Sequence, residues 1–220
     1  MFKAVLFDMD GVMVDTELLQ SQAFESVMAE YGVINPEKNE HGTIHVSGAT
    51  TPETWEILKK RYGFEADTSE LTSKKRAAVM TVIEGGVDAL PGLYALLEDL
   101  KAHDIKIAVG SSAQRERIEI VLDKLGIREY FSAIVSAADV THGKPHPEVY
   151  LKAAAAVGAD PSDCVVIEDA YTGAQAAMAA GAKLVAVPHQ YTKNMDFSEA
   201  DLIVESLAEL DYSKLSELFT

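Results

Sequence analysis

Residues 2–12 read FKAVLFDMDGV, an apolar run that stops at two aspartates and a glycine. A run this short, rich in strand formers and bounded by a turn signal, predicts a buried β-strand over Phe2–Phe7. Side chains two positions apart on an extended chain point the same way, so Asp8 and Asp10 would share one small site. Close carboxylates repel unless a cation intervenes or one is protonated. The stretch therefore predicts a metal site or an acid–base pair, with a solvated turn as the simpler alternative.

From residue 87 onward, predicted strands and helices alternate along the chain. The predicted strands are Ile105–Val109, Ala133–Val135, Cys164–Ile167, Lys183–Val187 and Leu202–Val204. The predicted helices are Gly92–His103, Gln114–Leu125, Pro147–Val157, Tyr171–Ala180 and Ser213–Phe219. This alternation is typical of a parallel sheet covered by helices on both faces. The predicted fold class is therefore α/β, a doubly wound parallel sheet that binds ligands outside the carboxyl ends of its strands.

Residues 16–86 interrupt the alternation with three helix-like stretches and no convincing strand. The stretches are Glu17–Tyr31, Pro52–Tyr62 and Ser69–Glu84. Apolar residues recur near helical spacing in the first stretch, and threonines that can cap a helix precede Pro52 in the second. We therefore expect an inserted α-helical domain over residues 16–86 and an α/β core formed by residues 1–15 and 87–220.

The composition argues against several classes of function. Nineteen Lys and Arg against 35 Asp and Glu give a net charge of −16, which disfavours binding to nucleic-acid phosphates and to anionic lipid. Cys164 is the single cysteine, so a reducing compartment is expected. No uncharged apolar run approaches the ~18 residues of a membrane helix, and the first residues do not resemble a secretory signal. We expect a cytoplasmic protein that binds a small molecule, as a monomer or a weak homodimer.

Polar residues follow three further predicted strands. Ser111 and Ser112 would present a hydroxyl and free N–H groups at a helix start, which suits a phosphate, although serine also caps helices. Lys144 lies between a glycine and a proline and would reach a phosphate oxygen from a turn, whereas a surface lysine is the simpler alternative. Glu168 and Asp169 supply hard oxygen ligands that suit Mg²⁺, or a helix cap. Together the strand ends supply the groups needed around one phosphoryl group.

The ordered set of motifs resembles that of the haloacid dehalogenase superfamily, and the resemblance spans nearly the whole chain. The matching pieces are Asp8-Met9-Asp10-Gly11-Val12, Leu90-Pro91-Gly92, Gly110-Ser111-Ser112, Lys144-Pro145 and Glu168-Asp169-Ala170-Tyr171-Thr172-Gly173. The helical insertion is similar to the cap domain of the β-phosphoglucomutase-like phosphatase branch. The dehalogenases generally lack the second aspartate of the first motif, so the presence of Asp10 sets dehalogenation aside.

The resemblance implies a role for each of these residues. Asp8 would be the nucleophile that forms an aspartyl-phosphate, and Asp10 would protonate the leaving oxygen and later activate water. Ser111 and Lys144 would hold the transferring phosphoryl group, and Gly11 would let the backbone approach the ligand. Ser112 would contribute to substrate binding. The implied ligands of Mg²⁺ are Asp8, the Asp10 backbone carbonyl, Glu168 and Asp169.

The cap decides between phosphatase and mutase. β-Phosphoglucomutases carry a histidine in the first cap helix, where this chain has Gln20, and an arginine after a Gly-x-Ser stretch, where it has Thr51. Threonine cannot replace bidentate phosphate binding by arginine, so we favour a Mg²⁺-dependent phosphatase acting on a small phosphorylated metabolite such as a sugar phosphate. A hexose phosphate mutase stays the alternative. The basic cluster of Lys74, Lys75 and Arg76 would face the substrate or, more commonly for such residues, the solvent.

Overall fold

A computed structural model describes residues 2–39, 42–44 and 50–220, and within these ranges the chain forms six β-strands and eight α-helices. The strands are β1 Ala4–Phe7, β2 Lys106–Gly110, β3 Ala133–Val135, β4 Cys164–Glu168, β5 Lys183–Ala186 and β6 Leu202–Ile203. The helices are α1 Thr16–Glu30, α2 Thr51–Tyr62, α3 Thr68–Gly85, α4 Leu93–Ala102, α5 Arg115–Lys124, α6 Glu148–Ala156, α7 Tyr171–Ala180 and α8 Tyr212–Ser216. Short 3₁₀ turns lie between several of these elements.

The six strands are parallel and lie in the order β3-β2-β1-β4-β5-β6. Strand β1 lies inside the sheet, where Phe7 is opposite Val109 of β2 and Ile167 of β4. Every residue of β1 and β4 is buried, as expected for strands covered on both faces. This strand order is the doubly wound one, and its switch point falls between β1 and β4. The predicted α/β fold is confirmed, and the predicted ligand edge is the carboxyl end of these two strands.

Helix α7 packs on the sheet through small side chains. Its buried residues are Gly173, Ala174, Ala176, Ala177 and Ala180. The four alanines among them belong to one apolar cluster with Leu6 of β1 and Val166 of β4. Small side chains let a helix approach the strands closely. At Gly173 the helix backbone lies against the Glu168 carboxylate at the end of β4.

The chain divides into two compact units. We call Met1–Asp15 together with Asp88–Thr220 the core unit, and Thr16–Val87 the insertion unit. The insertion unit has its own apolar cluster, formed by Phe24, Val27, Met28, Ile44, Trp55, Leu58, Phe64 and Leu71. Capping residues stabilise the first turns of two of its helices. The Thr50 N–H donates to the Glu53 carboxylate at 2.7 Å before α2, and Asp67 accepts the Glu70 N–H at 2.9 Å before α3.

Most predicted elements are present, and their ends differ by a few residues. Strand β4 runs one residue further than predicted and ends at Glu168. The C-terminal helix ends at Ser216, where a 3₁₀ turn over Glu217–Phe219 replaces the predicted helix. Among the described residues, no helix combines the length and the apolar character that crossing a membrane requires.

Candidate active site

Three buried carboxylates meet at the carboxyl ends of β1 and β4. Asp8, Glu168 and Asp169 each offer an oxygen that lies within 4.8 Å of the others. The Asp8 N–H donates to the Ile167 carbonyl at 3.0 Å, which holds the two strand ends side by side. Burial raises the pKa of Asp8 well above its usual range, and the Glu168 carboxylate raises it further. Burial also raises the pKa of Asp169. Like charges this close need compensating positive charge.

Lys144 supplies part of that charge. Its Nζ donates to Asp8 Oδ1 at 2.7 Å and to Glu168 Oε1 at 2.6 Å. The buried Tyr150 hydroxyl donates to the same Glu168 oxygen at 2.7 Å, and the centre of its ring lies 4.8 Å from Nζ. Although burial lowers the pKa of Lys144, the two carboxylates raise it overall, so the ammonium stays charged. When all three carboxylates are ionised, the one ammonium leaves two uncompensated negative charges, which a divalent cation would balance.

The Asp169 carboxylate fits against the chain only because residue 11 is glycine. Gly11 has a φ of +79°, and a Cβ there would lie 2.4 Å from Asp169 Oδ2 and 2.8 Å from His189 Nε2. Both the left-handed backbone and the close approach exclude a side chain. His189 Nε2 itself lies 2.9 Å from Asp169 Oδ2. Such a partner fixes the orientation of a carboxylate that can bind a metal.

Asp10 meets a different partner from the other carboxylates. Its Oδ1 forms an ion pair with the Arg117 guanidinium of α5. Burial raises the pKa of Asp10, and the Arg117 guanidinium opposes that rise without cancelling it. The side chain of Asp10 is not one of the three that converge on a metal-sized space. The Asp10 carboxylate therefore stands outside the group that could hold a metal ion and pairs with Arg117 instead.

Ser111 and Ser112 lie beside Lys144 and line a cavity of about 260 Å³. This is slightly below the ~300–1,000 Å³ usual for small-molecule sites. Ser111 is buried, and its Oγ accepts the Ala113 N–H at 3.1 Å. That bond is a local serine turn and not the helix cap of the simpler alternative, because α5 begins at Arg115 after Gln114, whose side chain makes no capping bond. The bond leaves the Ser111 hydroxyl hydrogen available to donate toward the cavity, as the phosphate-binding interpretation requires.

Gln20 and Thr51, the two residues of the insertion that the sequence predicts to bind substrate, both lie in the insertion unit. Gln20 on α1 accepts a hydrogen bond from the buried Lys75 on α3. The same ammonium lies 4.8 Å from the centre of the Phe24 ring. Thr51 is the first residue of α2. Residues 48–49 of the stretch compared with mutases lie outside the described residues.

The basic cluster of the insertion unit is divided. Lys74 pairs with Glu30 at 2.8 Å and with Glu70 at 3.2 Å, and Arg76 is exposed. Lys75 is buried between α1 and α3. Two of the three cations therefore behave as ordinary surface residues, and Lys75 does not.

Comparisons with known proteins agree with this geometry. A family model described as haloacid dehalogenase-like hydrolase matches residues 5–187. The chain belongs to this family. Among its relatives, hexitol phosphatase B of Escherichia coli (strain K12) is 32% identical over 209 residues, covering 94% of this chain and 93% of that protein. β-Phosphoglucomutase of Bacillus subtilis (strain 168) is 32% identical over 223 residues, covering 98% and 94%.

A solved haloacid dehalogenase family hydrolase extends the comparison to structure. The crystal structure of the Deinococcus radiodurans R1 protein, with bound phosphate and sodium, matches with a TM-score of 0.79 and 30% identity. The match covers 99% of this chain and 96% of that one. The family predicted from the motifs is confirmed, and its phosphatase members support a phosphatase activity for this haloacid dehalogenase-like hydrolase. Overall identity does not separate phosphatase from mutase, because the two relatives above are equally similar.

Three residues of the site were not predicted from the sequence. His189 follows β5, so the same search of strand ends that identified the other motifs would have found it. Tyr150 lies on α6 and Arg117 on α5. Their spacing is that of ordinary helix residues, and no sequence signal distinguishes them. Their contacts with Glu168 and Asp10 depend on how each helix is rotated against the sheet.

Proposed function

We propose that this hydrolase is a Mg²⁺-dependent phosphatase that cleaves a small phosphomonoester, of the sugar phosphate type, through an aspartyl-phosphate on Asp8. The observation that carries the proposal is the buried Asp8 carboxylate, which bonds to the Lys144 ammonium and lies beside the Glu168 and Asp169 carboxylates. A nucleophile, a fixed positive charge and metal ligands around one small space are the parts that phosphoryl transfer needs.

The carboxylate cluster fits a hard divalent cation. Its donors are oxygens, and its uncompensated charge matches that of Mg²⁺. Asp8, Asp169 and the Asp10 carbonyl would hold the ion, with Glu168 behind them keeping Lys144 in place. When bound, Mg²⁺ would lower the repulsion between the anionic nucleophile and the phosphoryl oxygens. Lys144 and the Ser111 hydroxyl would contact the same oxygens from the other side.

Asp8 and Asp10 would share the bond-making and proton-transfer steps. An Asp8 oxygen attacks phosphorus while the bond to the leaving oxygen breaks, and Asp10 donates its proton to that oxygen. Asp10 then takes a proton from water, and the water oxygen attacks the aspartyl-phosphate. This step releases inorganic phosphate and regenerates the Asp8 carboxylate. The raised pKa of Asp10 is consistent with a group that must be protonated in the first step.

The insertion unit favours hydrolysis over transfer between sugar positions. The amide of Gln20 does not titrate near neutral pH, so it cannot replace a histidine as acid or base. Thr51 lacks the guanidinium fork that would hold a second phosphate. We propose that the insertion unit acts as a cap that limits substrate size and excludes water. Hexitol phosphatase B among the relatives supports the sugar phosphate class.

The test is phosphate release with Mg²⁺ from a panel of phosphomonoesters, with Asp8→Asn as the isosteric control. We expect release from sugar phosphates by the wild type and none by the variant. The panel includes β-glucose 1-phosphate with a trace of bisphosphate primer and detection of glucose 6-phosphate. Glucose 6-phosphate without free phosphate would establish the mutase alternative. No turnover of any ester by folded protein would count against the proposed activity.

A further inference from the structure

Two histidines flank Lys144 on its loop, and they meet a glutamate at the start of α6. His142, His146 and Glu148 each offer one ligand atom, and these atoms lie within 4.8 Å of one another. The two imidazole rings have their centres 4.7 Å apart, and His142 Nδ1 lies 3.4 Å from Glu148 Oε2. Both histidines are exposed and Glu148 is half-buried, so the cluster is open to ions from solvent. None of the three residues has a part in the proposed phosphatase chemistry.

Glu148 is the fixed member of this cluster. Its carboxylate accepts the Thr141 N–H at 3.1 Å and the His142 N–H at 2.9 Å, and it pairs with Lys152 at 2.6 Å. The Lys152 bond and the two backbone bonds lower the pKa of Glu148 to about 2. The carboxylate is therefore ionised at neutral pH, and it ties the loop that carries both histidines to the first turn of α6.

We propose that His142, His146 and Glu148 form a second metal site, which binds a borderline divalent ion of the Zn²⁺ class. The site offers two imidazole nitrogens and one carboxylate oxygen, with a fourth position for water. Zn²⁺ and the other late first-row divalent ions prefer this ligand set. The all-oxygen cluster around Asp8 suits Mg²⁺ instead. The core unit thus carries two ion sites of different chemical preference, and Lys144 lies on the loop of the second site while bonding to carboxylates of the first.

Binding at this second site acts on Lys144. Zinc–ligand bonds of about 2.0–2.2 Å place the ligand atoms of a tetrahedral site about 3.3–3.6 Å apart. In the structure His142 Nδ1 and Glu148 Oε2 already lie 3.4 Å apart, so a bound ion fixes the loop against the first turn of α6. Lys144 lies two residues from each histidine, and the loop also lines the cavity through Thr141 and Gly143. A loop fixed in this way restrains the adjustment of Lys144 to a bound phosphoryl group and lowers turnover, a consequence that rests on the proposed function.

The binding itself is tested by calorimetric titration of ZnCl₂ into a chain whose catalytic cluster is disabled by Asp8→Asn and Asp169→Asn. We expect one Zn²⁺ per chain with a micromolar Kd. Adding His142→Gln or His146→Gln should weaken binding at least tenfold, and His146→Cys, which keeps a zinc ligand, should restore most of it. The matched control is His103→Gln, because His103 is an exposed histidine with an acidic neighbour at the end of α4. It should leave the titration unchanged.

Two results would overturn the second metal site. One is a Kd weaker than millimolar, and the other is a Kd that neither His142→Gln nor His146→Gln changes. Co²⁺ gives an independent readout, because a tetrahedral site that includes imidazole produces visible absorption bands and these should vanish with His146→Gln. Thermal melting of each variant checks folding. These measurements need no substrate, so they stand even if the phosphatase proposal fails.

The effect on activity is tested in the wild type. Phosphate release is followed against Zn²⁺ concentration at a saturating Mg²⁺ concentration and at ten times that concentration. Zinc that competes for the Asp8 cluster is displaced by the added Mg²⁺, whereas zinc at the second site is not. We expect inhibition that tenfold more Mg²⁺ does not relieve and that His146→Gln removes. Complete relief by Mg²⁺ would refute the coupling to Lys144.

Discussion

Gly173→Ala should destabilise the chain although alanine is the better helix former. Gly173 lies inside α7, where replacing glycine by alanine ordinarily gains about 1 kcal/mol. Here a Cβ would lie 1.7 Å from Glu168 Oε1 and 2.0 Å from its carboxyl carbon. Glu168 is buried at the end of β4, so the carboxylate must move by roughly 1.5 Å to restore ordinary contact. That movement removes it from its partners.

The magnitude follows from the bonds that Glu168 makes. Lys144 Nζ and the Tyr150 hydroxyl donate to its Oε1 at 2.6 and 2.7 Å. A hydrogen bond that involves a charged group contributes about 1.5–3 kcal/mol, so losing both costs about 3–6 kcal/mol. Subtracting the gain in helix propensity leaves a net loss of about 2–5 kcal/mol in the free energy of unfolding. Lys144 also loses one of the two carboxylates that orient it, so kcat should fall at least tenfold.

Urea denaturation in metal-free buffer measures the loss, and phosphate release measures the effect on kcat. The matched control is Gly85→Ala, because Gly85 is the last residue of α3 and a Cβ there would have nothing within 4 Å. This variant should be neutral or more stable by up to about 1 kcal/mol. A Gly173→Ala chain within 0.5 kcal/mol of the wild type would refute the reasoning, because the close approach of α7 to Glu168 would then be tolerated without cost.

Three further predictions concern the charged groups of the site. Burial raises the pKa of Asp8 in the folded chain, so the contribution of this group to folding stability falls as pH rises above about 4. Asp8→Asn should therefore raise the free energy of unfolding more at pH 7 than at pH 4, as measured by urea titrations in metal-free buffer. An equal gain at both values would contradict this. Arg117→Met removes the guanidinium that lowers the pKa of Asp10. The alkaline limb of the kcat/KM profile should then move to higher pH, whereas Arg115→Met on the same helix, whose partners lie elsewhere, should not move it. His189→Ala should weaken Mg²⁺ binding about 10–100-fold in a calorimetric titration, and an unchanged Kd would show that His189 does not orient a metal ligand.

The sequence allowed the strand-end motifs to be predicted because topology alone brings them together. In a parallel sheet the carboxyl ends of all strands lie at one edge. Asp8 and Glu168 were therefore expected at one edge once each was seen to follow a strand, and the structure makes those two strands adjacent. The same argument extends to Lys144, which follows β3 and still bonds to both.

The pairing of individual side chains could not be predicted. Asp10 was expected to share the space of Asp8, but its carboxylate turns to Arg117, a partner set by the rotation of α5 about its axis. The burial of Lys75 could not be predicted either. A lysine in a polar helix segment indicates a solvated face, and the sequence does not show that Gln20 lies opposite it. The sequence carries local signals for where a helix starts and where a short buried strand lies. It carries none for which side chains of two packed elements come into contact.

The position of β1 within the sheet has a consequence for how the enzyme is made. Residue Phe7 pairs with Val109 on one side and Ile167 on the other, so the strand before Asp8 is synthesised before both of the strands that flank it. The insertion unit, with its own apolar cluster, emerges complete while β1 still waits for β2 and β4. Pairings of such long sequence separation are slow and leave strand edges open during folding. Asp8 thus reaches its place beside Glu168 and Asp169 only after β4 has left the ribosome, and a nascent chain stalled before β4 would carry Asp8 without these two carboxylates.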